Sequence, residues 1–125
     1  MGAPFKTKLH LHSHGGTSVA EILGEGVIVA TAGDFLTVMF ETRRLEADRA
    51  AIHAENLHPD FFNLRSGLAG ELLQKLVNYH LKLAIVGDIS EHLEKSEALK
   101  ALVRESNRGK DVRFVATIED ALGAW

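Results

Sequence analysis

The chain contains no cysteine, which excludes disulfides, thiol catalysis, haem thioether links and cysteine zinc sites. That usage fits a reducing compartment. It also lacks an excess of positive charge: 14 Lys+Arg stand against 17 Asp+Glu, a formal net charge of -3. Nucleic-acid binders usually carry a strongly basic face, so composition does not favour one. No apolar run exceeds about six residues, far short of the roughly 20 that span a bilayer. The N-terminus has no long apolar core of a signal peptide, and Lys6 stands where myristoylation needs Ser or Thr. A soluble cytoplasmic protein is the expectation. There is no internal repeat or low-complexity linker. Neither Gly-x-Gly-x-x-Gly nor Gly-Lys-Ser/Thr is present to cradle a phosphate, and no Gly-x-Ser-x-Gly elbow presents a nucleophile.

What is present is one domain's worth of chain. Its 125 residues are 46% hydrophobic and 25% charged, which is globular composition with enough length for a real core. The domain is read as residues 1–125.

Residues 7–14 alternate in character at period two, Gly15-Gly16 follows, and residues 17–23 are again strand-like. This predicts an antiparallel hairpin. Val27-Ile28-Val29 reads as a possible continuation of the sheet. Residues 31–44 are ambiguous: β-branched Thr37-Val38 would suit a strand over 35–40, but Thr31-x-x-Asp34 resembles a capping box, and Phe35, Leu36, Met39, Phe40 and Arg43 then share one face of a helix, which is the preferred reading. Ala50–His53 is a short buried strand. Pro59 breaks the chain, and Ser66 is a natural N-cap for a helix over 67–79 carrying Leu68, Leu72, Leu73, Leu76 and Val77. Glu71 and Lys75 are spaced as an i,i+4 pair. Gly70 inside this helix suggests close packing against the sheet. Lys82–Asp88 is the clearest strand, continuous and apolar like a central parallel strand. A helix over 96–106, a strand over 112–116 and a short helix capped by Thr117 and ending near Trp125 complete the chain.

Strands separated by helices imply crossovers and parallel pairing. The fold class is α/β, a mixed, mostly parallel sheet with an N-terminal antiparallel hairpin and packed helices.

Two groups of residues could carry chemistry. His10, His12 and His14 share one strand face, and three imidazoles at that spacing could bind Zn²⁺, Ni²⁺ or Cu²⁺ weakly, with Glu21 on the partner strand within possible reach. They are also what a solvated edge strand collects by chance. His53, Glu55 and Asn56 follow one strand and Asp88 follows another. If those strands are parallel, both segments end at the same sheet edge, where ligands bind in open α/β sheets. His53, Glu55 and Asp88 could therefore do acid–base work or bind a small ligand. The alternative is a loop-anchoring hydrogen bond. Phe61 and Phe62 read as core or an interface patch.

The stretches His53-Ala54-Glu55-Asn56-Leu57, Asp60-Phe61-Phe62-Asn63-Leu64 and Gly67-Leu68-Ala69-Gly70-Glu71-Leu72-Leu73-Gln74-Lys75 resemble the DUF4180 family. So do Asn78-Tyr79, Lys82–Asp88 and Glu105–Gly109. The resemblance covers about residues 17–123 and leaves 1–16 as a variable N-terminal segment. It implies a compact α/β domain and no particular activity. Ser66-Gly67-Leu68-Ala69-Gly70-Glu71-Leu72-Leu73 also looks like the strand-to-helix turn of STAS domains, among them the anti-sigma-factor antagonists. Their pattern is Asp-Ser-Ser-Gly-Leu-Gly. Ser66 matches the second serine, but Arg65 stands in the phospho-acceptor position and Leu64 in that of the aspartate. The resemblance therefore implies a non-catalytic, STAS-like interaction or regulatory module without the phosphorylation switch. Phe61, Phe62, Arg65, Ser66, Gly67 and Gly70 would form its turn. No cofactor is expected. The expected partner is a protein or a second copy, with no nucleic acid and no membrane, and a small-molecule ligand is left open.

Overall fold

The computed structural model describes residues 7–124. The reading of Lys6 and the helix end near Trp125 lie outside the described residues. Strand β1 (Lys8–His14) and strand β2 (Thr17–Leu23) form the expected hairpin, with His14 opposite Thr17 and Lys8 opposite Leu23. Gly15 and Gly16 both have positive φ, 57° and 84°. That is what a two-residue turn matching the strands' twist demands.

Helix α1 (Ala32–Arg44) begins with a complete capping box: Thr31 accepts from the Asp34 N–H, and the Asp34 carboxylate accepts from the Thr31 N–H. Its apolar face buries Phe35, Val38 and Met39. Full burial of a side chain such as Phe35 contributes about 1.5–3 kcal/mol. Phe40, expected on that face, is largely exposed. Strand β3 (Arg49–His53) follows, then a connection of three single 3-10 turns over 54–66. Helix α2 (Leu68–Asn78) leads to strand β4 (Lys82–Val86). A five-residue helix α3 (Ser90–Glu94) precedes α4 (Glu97–Arg108), which Ser96 caps by accepting from the Leu99 N–H. Strand β5 (Val112–Val115) and helix α5 (Ile118–Leu122) end the described chain.

The sheet order is β1-β2-β3-β4-β5, antiparallel only between β1 and β2. The last four strands are parallel and step in one direction. Right-handed crossovers then place α1, α2 and α4 on the same face. The main core lies there, with Ile22, Ala50, Ile52, Leu83, Ile85 and Phe114 meeting Phe35, Leu72, Leu76 and Leu99. The second face is different. It carries the small residues Ala51 and Ala84 beside Val19 and Val86, and α5 packs there through Ala121, Ile118 and Leu122. No helix among the described residues is long and apolar enough to cross a membrane.

Four expectations need correction. Val27–Val29 is not a strand, because Val29 makes only an isolated parallel bridge to Leu57. The loop is pinned by Asn56, whose side chain donates to the carbonyls of Gly24 and Gly26. Gly70 does not face the sheet: it is exposed, and a side chain there would meet no other part of the fold. Ala69 is the small residue that packs inward. The N-cap position of α2 belongs to Gly67, left-handed at φ 83°, with Ser66 one residue earlier in the turn. Glu71 and Lys75 are not among the ion pairs of the described residues.

Candidate functional site

Alternation along β1 and β2 sends Lys8, His10, His12 and His14 to the second face of the sheet, with Val19 and Glu21. The parallel register sets Glu21 beside Ala51, two residues before His53 on the same face of β3. Alanine at 51 leaves space over the strand. Three strands thereby deliver His12, Glu21 and His53 to one place.

There Glu21, 8% exposed, bridges two imidazoles. His12 Nε2 lies 2.8 Å from Glu21 Oε1, and His53 Nε2 lies 2.7 Å from Oε2. Burial is the largest influence on the Glu21 carboxyl and pushes its pKa up. The hydrogen bonds and charges of His12 and His53 together outweigh it and hold the group below the ordinary glutamate range. An ionised carboxylate only accepts, so both imidazoles carry their proton on Nε2. Their Nδ1 atoms are left as the free positions of the rings. His10 adds an edge-to-face contact on His12, ring centroids 4.5 Å apart. Chemically, the arrangement can hold two imidazoles in one tautomer.

The three-histidine set therefore divides. His12 turns to Glu21 and His10 rests on His12, while exposed His14 ends the strand at the turn. Among the described residues no group of three or more His, Asp or Glu side chains has metal-holding spacing.

His53, Glu55 and Asp88 do meet at one sheet edge. With Ala54, Val86 and Gly87 they line a shallow crevice of about 240 Å³. His53, however, takes Glu21 as its hydrogen-bond partner and not Glu55. Asp88 accepts from the Ser90 hydroxyl at 2.6 Å and from its N–H at 2.9 Å, and these bonds hold its carboxyl below the usual range. It shapes the turn into α3. Sequence reasoning placed Glu21 near the β1 histidines but did not connect it to His53. The signal for that link, the β2–β3 register, is not local.

A second feature lies in the β3–α2 connection. Phe61 and Phe62 are buried, so they are core and not a surface patch. Phe62 stacks on His92 of α3 at 4.2 Å and 13°. Asn63, Arg65, Ser66 and Gly67 are exposed. The Ser66 hydroxyl donates to the Asp60 carbonyl at 2.6 Å and accepts from the Leu68 N–H at 3.2 Å. Beside this turn a broad crevice of about 670 Å³ is lined by Phe62, Leu64, Arg65, His92 and Lys95, with Glu97 on its border.

No curated protein and no solved structure matches the chain. A family model described as Domain of unknown function (DUF4180) matches residues 14–124, which takes in Glu21, His53 and the β3–α2 connection but not His10 or His12 of β1, and the chain belongs to that family.

Proposed function

We propose that this is a non-catalytic protein-contact domain of STAS-like architecture, working through the β3–α2 connection and the crevice beside it. One observation carries the reading. The Ser66 hydroxyl is spent on both sides, on the Asp60 carbonyl and on the Leu68 N–H, so the turn is braced while Asn63, Arg65 and Gly67 stay at the surface. A braced, exposed turn loses little conformational entropy on binding. Arg65 offers no hydroxyl to a kinase at the place where related switch domains carry one. The contact is then constitutive.

The crevice indicates the partner. Leu64 supplies apolar surface over the buried Phe62 ring, and Arg65 and Lys95 supply two cations at its border. An apolar protein segment flanked by acidic residues is the complement. We read the protein as cytoplasmic, with a protein and not a nucleic acid as its partner. The lack of cysteine and the acidic charge balance support both.

A photo-crosslinking residue placed at position 65, and a second at Glu105 on the exposed side of α4, test this in the native host. Adducts should form at position 65 and be suppressed by Lys95→Glu. Equal labelling at both positions would contradict the reading. So would stoichiometric phosphate on Ser66 by intact-mass analysis.

A further inference from the structure

The two edges of the sheet are finished differently. At the β5 edge, the Asn107 side chain takes up both the N–H and the carbonyl of Phe114, as a further strand would. The β1 edge has no such cover among the described residues. The two-residue Gly15-Gly16 turn makes His14 and Thr17 a hydrogen-bonded pair. By alternation Lys8, His10, His12 and His14 then turn their backbone groups to β2. Leu9, Leu11 and Ser13 turn theirs outward, where no partner for them is found among the described residues.

Edge strands are usually kept from pairing by shortness, proline, bulges or a central charge. β1 has none of these. It runs seven residues without proline and pairs with β2 one to one, and its lysine stands at the end. Its middle residue, Leu11, is apolar and 41% exposed.

The partner follows from the contrast between the edges. Pairing β1 with β5 of another copy would build an open stack of sheets, and Asn107 already fills the β5 side. Pairing β1 with β1 closes on itself. The antiparallel register that keeps all of Lys8–His14 paired has its twofold axis at Leu11. It sets the outward backbone groups of one copy against those of the other.

We propose that β1 is a self-association edge, and that a second copy of this chain pairs with it antiparallel about Leu11 to join two sheets into one. Leu11 meets the partner's Leu11, and Leu9 meets the partner's Ser13, as hydrogen-bonded pairs. Between them His10 faces the partner's His12 as the closer, non-hydrogen-bonded pair. The contact lies apart from the proposed protein-contact surface and stands or falls separately.

Sedimentation velocity of the wild type, Leu11→Lys and Leu11→Glu, at concentrations up to about 1 mM, tests it. The wild type should dimerise reversibly. Each variant should associate about tenfold more weakly or worse, because like charges face each other across the axis. An equimolar mixture of the two variants should recover the dimer, because Lys then faces Glu. Misfolding cannot produce that recovery, and circular dichroism of each variant alone checks its fold. A wild type that stays monomeric throughout, variants that dimerise like the wild type, or a mixture as monomeric as its parts would overturn the proposal.

Discussion

Of the described acidic residues Glu21 alone is buried, and its surroundings set the sign of a pH effect. Its folded pKa is depressed by His12 and His53. A depressed carboxyl contributes stability above its unfolded pKa and loses it as pH falls through the lower folded value. Glu21→Ala should therefore cost about 1–3 kcal/mol near neutral pH, where two imidazole donors lose their acceptor. The gap between wild type and variant should narrow steadily below about pH 4. Urea unfolding across that range measures it, and a gap independent of pH would show that the carboxylate's charge contributes nothing. Half of this cluster was legible in the sequence. Alternation put His10, His12 and His14 on one face and Glu21 within reach. His53 could not be added, because it stands 32 residues from Glu21 and joins it only through the β2–β3 register.

At the scale of elements, the two glycines of the α2 segment behave oppositely. Gly67 is left-handed at φ 83°. A side chain there costs about 1–2 kcal/mol, so Gly67→Ala should destabilise. Gly70 is helical, exposed and open around its Cβ position, so Gly70→Ala should stabilise by about 0.5–1 kcal/mol. Thermal or urea unfolding of the pair reads both signs at once, and a destabilised Gly70→Ala would mean that this face of α2 is covered. A helical glycine suggests close packing only when its face is known. Here the inward stripe runs through Ala69, Leu72 and Leu76, one position off. Capping residues were a better guide. Thr31, Ser96 and Thr117 each accept from the N–H three residues on, and each begins a helix near its expected start. Helix α3 was not legible because five residues are too few to show a period.

The whole molecule is a one-directional sheet with unequal faces and unequal edges. The α/β class, the hairpin and the parallel strands followed from alternation and spacing. The strand order follows from sequential crossovers, which also explain why the second face is left to the short α5. At the β5 edge, Asn107 imitates a neighbouring strand: Oδ1 accepts from the Phe114 N–H at 2.7 Å and Nδ2 donates to its carbonyl at 3.3 Å. Arg113 reinforces this by donating to the Asn107 carbonyl. Unpaired edges template association. Asn107→Ala should lose about 1–2 kcal/mol and associate more readily with rising concentration. Sedimentation velocity beside an unfolding curve measures both, and a variant as stable and monodisperse as wild type would contradict the edge-sealing role.

What ties the open side of this sheet together is one carboxylate ordering two imidazoles across three strands. Long-range ¹H–¹⁵N spectra of the histidine rings test that claim directly, because they report which ring nitrogen holds the proton. The account predicts Nε2–H for both His12 and His53 in the wild type, and a mixed tautomer population for both in Glu21→Ala. Nδ1–H tautomers, or wild-type rings in the same mixed equilibrium as exposed His14, would contradict it.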